Sequence, residues 1–237
     1  VSAIAAILFI VAWELIDFDQ IGKIIRRHKR ERVVLAVTFV GTLIDMEKGI
    51  FFGILVALMF YLYRTSQPSV RKLVPSHADR GDPRRKFVAA SDDTPECPQL
   101  DILHIEGSLF FGATENVQLV FRGLEESHPG KKHLLLMAHA IGFIDLAGAE
   151  LLGREAGRRR AAAGGFYLVG AQPDLYEMLH RSGQAAVIGR ERIFSHKGDA
   201  IRAVYSRLDS RICLTCTARI FRECHVALPD GTPRESP

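Results

Sequence analysis

The sequence predicts two unlike parts: a membrane α-helical segment, then an α/β domain whose mostly parallel sheet is covered by helices. Three observations predict this. The apolar excess of the 237-residue chain lies before Arg64. The short unbroken run His133-Leu-Leu-Leu-Met-Ala138 has the character of a strand covered on both faces. From Leu100 onward, strand-like and helix-like stretches alternate at short spacing, which implies crossover connections and parallel pairing.

Val1–Ile16 is almost entirely Ala, Ile, Val, Leu and Phe, with Trp13 near its end at a position suited to a lipid headgroup layer. It reads as the last part of a membrane helix, and the chain as a C-terminal fragment of a longer protein. Six Lys or Arg fall within Lys23–Arg32, a positive-inside signal. Two apolar segments follow, Val33–Ile44 and Gly49–Tyr63, separated by Asp45-Met-Glu-Lys48. At about 1.5 Å per residue they reach roughly 18 and 22 Å, short of a hydrocarbon core of roughly 30 Å. Basic residues flank the pair on both sides, so both ends are expected in the cytoplasm. Short segments of this kind need surrounding protein, and Gly41, Gly49 and Gly53 permit close helix packing. Asp45 and Glu47 read as turn caps in preference to ion-pathway carboxylates.

Residues 66–98 hold prolines and charges with no sustained apolar period, and read as a linker with an edge strand at Phe87–Ala90. Residues 99–209 form the α/β domain. Strands are expected at Leu100–Ile105, Leu134–Ala138, Phe166–Val169 and Ala185–Ile188, and helices at Ala113–Glu126, Asp145–Ala163, Asp174–Arg181 and Lys197–Leu208. Residues 210–237 are a cysteine-containing tail.

The central unit is strand, turn at His139–Gly142, then a helix start. Asp145 precedes Leu146, Ala149, Leu152 and Ala156 at helical spacing and is the expected N-cap. A helix start offers unpaired N–H groups and a positive dipole end, so Asp145, Ala147 and Gly148 are the candidate regulatory residues. In the tail, Cys213-Leu-Thr-Cys216 has knuckle spacing and Cys224 follows, so Cys213, Cys216 and Cys224 are candidate metal ligands, with zinc the ion such a set would take. A fourth ligand would come from Cys97, a distant histidine or another chain. The competing reading is of reduced cytoplasmic thiols packing a C-terminal extension, with no cofactor. His104 and His133 sit at strand edges and pair with no nucleophile, and the sequence supports no enzyme. The net charge of +4 arises from clusters, not one basic face, which argues against nucleic acid as a partner.

The stretches Leu103-His-Ile-Glu-Gly-Ser-Leu-Phe-Phe-Gly112 and Phe143-Ile-Asp-Leu-Ala-Gly148 resemble the STAS domain of anti-sigma-factor antagonists and of SulP-type sulfate permeases. Gly107–Phe111, the basic loop Arg26–Arg32, Thr38–Leu43 and Gly49–Ile54 are similar to the permease version in particular. The resemblance implies the C-terminal part of a secondary active transporter that moves sulfate, bicarbonate or an organic acid with a coupling ion. It would be a multi-pass protein of the inner membrane, with lipid around it, a cytoplasmic STAS domain serving regulation, docking or dimerisation, and a homodimeric state. It also implies that the anion site lies in upstream elements, so no transport-site residue is assigned. In antagonist-type STAS domains a hydroxyl residue at the helix start is phosphorylated. The matching position here is Ala147, and no Ser or Thr occurs from Ala138 to Gly165, so that switch has no acceptor. The alternative is a membrane-tethered STAS signalling protein that transports nothing.

Overall fold

The computed structural model describes residues 2–17, 19, 22–23, 29–76, 86–91 and 93–233. Residues 24–28 of the basic run Lys23–Arg32 and part of the expected linker, 77–85, lie outside the described residues. The chain divides into two compact units, Val1–Arg64 and Thr65–Pro237.

The first unit contains α1 (Ser2–Glu14), α2 (Lys29–Ile44) and α3 (Met46–Thr65). Among the described residues, α3 is the one helix long and apolar enough to cross a membrane. Its 20 residues reach about 30 Å, longer than the sequence reading, because Met46-Glu-Lys48 joins the helix instead of a loop. Asp45 makes that possible. Its carboxylate accepts from the Lys48 amide at 3.2 Å and pairs with the Lys48 ammonium at 2.8 Å. The apolar side chains of this unit face outward, with Phe39, Leu43, Phe51 and Ile54 all exposed.

Small residues let α2 and α3 touch. A Cβ on Gly49 would stand 2.3 Å from the Gly41 carbonyl carbon, and one on Gly53 would stand 2.1 Å from Thr38 Oγ1. Thr38 meanwhile donates to Val34 O at 2.8 Å, so its hydroxyl is satisfied within its own helix. We therefore expect Gly49→Val to split this hairpin, since backbone atoms cannot yield as a side chain can. The control is Gly22→Val, because nothing lies within 4 Å of that site. Folded chain recovered in detergent should fall sharply for the first and stay unchanged for the second; equal recovery would refute the packing.

The second unit is built on a seven-stranded sheet. Its strands are β1 (Ser69–Pro75), β2 (Phe87–Ala89), β3 (Leu100–Leu109), β4 (His133–Met137), β5 (Ile141–Ile144), β6 (Gly165–Val169) and β7 (Ile193–Phe194). The order is β2-β1-β3-β4-β6-β7, with β5 paired to the end of β3. The sheet is mixed, not mostly parallel. β3, β4, β5, β6 and β7 pair in parallel, but β1 runs antiparallel to both β3 and β2. The antiparallel part comes from the stretch read as linker, whose short segments carry little apolar period of their own. β1 becomes a strand by pairing with the exposed edge of β3, and β2 by pairing with β1.

The helices are α4 (Phe111–Ser127), α5 (Leu146–Ala161), α6 (Pro173–Arg181), α7 (Gln184–Ile188), α8 (Lys197–Tyr205) and α9 (Ser210–Thr215). Strand alternation sorts the core. Leu103, Ile105, Leu134, Leu136, Phe166 and Leu168 pack under α4 to α7. Leu100, Ile102, Leu135, Met137, Tyr167 and Val169 pack under α8, α9 and the tail. β4 is buried on both faces along its whole length, as its apolar run requires.

Two sequence expectations are corrected here. Ala185–Ile188 is a helix turn, not a strand. Gly183 (φ 76°) and Gly189 (φ 98°) adopt left-handed backbone on either side, and Ala185 and Ile188 turn into the α5 side of the core. The edge place in the sheet goes to Ile193–Phe194. The last helix stops at Tyr205, and α9 starts afresh where Asp209 accepts from the Arg211 amide at 2.8 Å.

Candidate functional site

The site lies at the carboxyl ends of β3 and β5, the end of a parallel sheet where helices begin. Asp145 follows β5 in extended conformation and caps α5, its Oδ1 accepting from the Gly148 amide at 2.9 Å. Its other oxygen, Oδ2, accepts from the Phe111 amide at 2.9 Å. Phe111 opens α4, whose own N-cap, Phe110, has no side chain able to cap. One carboxylate therefore serves two helix N-termini, each with a positive dipole end. Its position in sequence revealed the first bond; the second crosses 34 residues and could not be read there.

Gly148 is needed by close approach: a Cβ there would stand 2.2 Å from Leu109 O. Ala147, half-buried in the first turn of α5, presents a methyl group where the resemblance places a hydroxyl. Phe111, Phe143 and Leu146 are exposed around this helix start. Beside it, a cleft of about 250 Å³ is lined by residues including Phe143, Gln172, Asp174, Met178 and Arg181. We expect Asp145→Ala to destabilise the unit by about 1–2 kcal/mol, the loss of a cap. Asp145→Asn should recover most of it. Urea denaturation would check this, and equal destabilisation by both would refute the capping role.

A second polar group sits at the opposite end of β3. Lys72 of β1 and Lys131 before β4 converge on Glu96 and Asp101. Lys72 Nζ is 2.7 Å from Glu96 and 3.2 Å from Asp101; Lys131 Nζ also pairs with Glu96, and is 3.2 Å from Asp101. Burial alone would raise the Glu96 carboxyl, but hydrogen bonds from Lys131 and Lys72 overcome it and hold the group below the ordinary range. Sequence inspection missed this network because its members come from separate strands and loops. It ties β1 to the sheet and contains no nucleophile–base arrangement.

The cysteine candidates do come near one another. Cys213, Cys216 and Cys224 line one small cavity, and Cys97 joins them from the start of β3. As folded, no group of three or more His, Cys, Asp or Glu among the described residues is arranged to hold a metal ion.

The STAS domain family matches residues 93–200. The chain is 27% identical over 196 residues to the YvdB protein of Bacillus subtilis (strain 168), whose name proposes sulfate transport; 82% of this chain and 34% of that protein are covered. The murine Solute Carrier 26 family member A9 anion transporter, solved in the inward-facing state, has the same fold with TM-score 0.66 at 17% identity. The match takes in 82% of this chain and 32% of that one. A further structure of that carrier gives TM-score 0.61 at 15% identity, over 79% of this chain and 32% of the other. The chain thus spans about a third of the length of these relatives. Residues 93–200 thus match the STAS domain family, an apolar helical unit precedes them in the chain, and over 82% of its length the chain is similar to a protein named for sulfate transport.

Proposed function

We propose that this chain is the C-terminal portion of a secondary active anion transporter, with sulfate or bicarbonate the class of substrate. In this reading α1, α2 and α3 lie in the lipid bilayer of the inner membrane as part of the transport domain. Thr65–Pro237 lies in the cytoplasm as the regulatory and docking module and takes part in a homodimer. The anion site itself belongs to elements outside this chain.

The observation that carries the reading is the pairing of the two units in one chain. Outward-facing apolar helices, with α3 about 30 Å long, lead directly into β1 of the STAS unit. The same order is matched across 82% of the chain in an anion transporter. A signalling STAS protein switched by phosphate at the helix start is disfavoured, since Ala147 has no hydroxyl to accept it.

The test is anion uptake by the full-length parent in sealed vesicles. Uptake of labelled sulfate or bicarbonate, with the rate or its regulation altered when residues 65–237 are removed, supports the proposal. A correctly inserted parent that moves neither anion, nor exchanges one for the other, defeats it.

A further inference from the structure

The amino edge of the parallel strands gathers positive charge around one buried ring, at the opposite end of the sheet from the Asp145 helix start. Tyr167, in β6, is fully buried. The ring of His133, which opens β4, stands 6.1 Å from it, centre to centre. The guanidinium carbons of Arg192 and Arg207 stand 5.7 and 5.9 Å from the same ring centre. The registers His133↔Gly165 and Leu168↔Ile193 set Tyr167 between the first residue of β4 and the residue before β7. Arg207 follows the end of α8, which packs on that face of the sheet. Arg159, in the last turn of α5, reaches the same edge and donates to Lys131 O at 2.9 Å, two residues ahead of His133.

Three features separate this group from a solvated basic surface. His133 and Arg159 are buried, and Arg192 is largely so. Arg159 Nη2, Arg192 Nε and His133 Nδ1 are buried without a hydrogen-bond partner, three of the five such atoms among the described residues. A guanidinium nitrogen can only donate, and a buried donor without an acceptor costs about 1–3 kcal/mol, so the group is built for an acceptor that the chain itself does not supply. Carboxylates are also too few. Glu155 is shared between Arg158 and Arg159, and Glu191, solvent-exposed, lies 3.5 Å from Arg192. Among the described residues no acidic side chain pairs with Arg207. The imbalance is felt at His133, where Arg192, Arg207, Arg159 and Lys132 add to the effect of burial in holding the imidazole neutral.

We propose that Arg192, Arg207 and Arg159, gathered at His133 and Tyr167, bind one free tetrahedral oxyanion of the sulfate or phosphate class. Planar guanidinium groups match the oxygen edges of such an ion, and stacking on an aromatic face leaves their in-plane N–H groups for it. A dianion with four oxygens answers several of these donors at once; chloride has no such edges. Arg192 is partly exposed and Arg207 exposed, so the group opens to solvent. Bound there, the ion joins β4, β6, β7 and the end of α8 and stabilises this edge of the sheet. The inference uses no element outside residues 65–237, so its failure would leave the transport reading standing.

The test uses the full chain in detergent, titrated calorimetrically and melted with sodium sulfate, sodium phosphate or sodium chloride at matched ionic strength. About one oxyanion per chain is expected, with a saturable rise in melting temperature that chloride does not give. Stabilisation by exclusion of these salts from the surface grows without saturating, so the saturable part isolates the site. Arg207→Ala, at an exposed position, should melt no lower than wild type in chloride yet bind the oxyanion about 10–100-fold more weakly. Arg192→Lys keeps the charge, loses the planar fork and should weaken binding as well. Arg154→Ala, exposed and paired with Glu150, should bind as wild type does. Saturable binding of either oxyanion with this variant pattern supports the site, and the tighter of the two names its ligand. No saturable binding to the folded chain, undiminished affinity in Arg207→Ala, or an equal loss in Arg154→Ala would each overturn it.

Discussion

Glu155→Leu is expected to destabilise the STAS unit by about 3–5 kcal/mol, the cost of leaving a buried charge without its partner. Glu155 lies on the inner side of α5 at 1% exposure and accepts from Arg159 Nε at 2.7 Å; Arg159 is 3% exposed. Arg158 pairs with the other oxygen of the same carboxylate. Arg159 also donates from Nη1 to Lys131 O at 2.9 Å, but its Nη2 has no partner. Deleting the carboxylate would leave that guanidinium buried with one backbone acceptor. Removing both charges is a different case: Glu155→Leu with Arg159→Met replaces the pair by apolar volume and should recover most of the loss. Urea denaturation of the full chain in detergent, followed by circular dichroism, distinguishes the two. A single variant costing less than about 1 kcal/mol would mean that water solvates Arg159.

Acidification is expected to remove about 3 kcal/mol of stability between pH 6.5 and about 4, through His133. This residue opens β4 and is buried, with Nδ1 unpartnered. Burial is the main cause of its low pKa, about 4 in place of 6.5, and the neighbouring charges of Arg192, Arg207, Arg159 and Lys132 lower it further. The unfolded chain binds a proton near 6.5 and the folded chain does not, so stability is complete above 6.5 and is lost as pH falls towards 4. Glu96 acts in the same direction at lower pH, because its depressed carboxyl contributes stability that is lost only below about 4.5. His133→Leu should therefore flatten the upper part of the profile and leave the lower part intact. A denaturation midpoint that falls just as steeply in that variant would assign the acid sensitivity elsewhere.

The amino-acid sequence by itself determined what depends on near neighbours. The outward apolar character of the first unit, the apolar run of β4, the helical spacing after Leu146 and the cap at Asp145 all rest on contacts within about one helix turn or one strand. The absence of a hydroxyl at Ala147 was equally plain. Tertiary structure decided what depends on distant partners. β1 became a strand only against β3, and Ala185–Ile188 took helical form between two left-handed glycines under α5. Asp145 found a second helix to cap, Cys97 met three cysteines more than a hundred residues away, and a strand-edge His133 became a buried neutral imidazole. Hydrogen-bond caps and periodicity are local, so residues spell them out. Pairing direction, burial and the convergence of side chains are fixed by which surfaces the folded chain brings together, and a linear pattern carries no record of that.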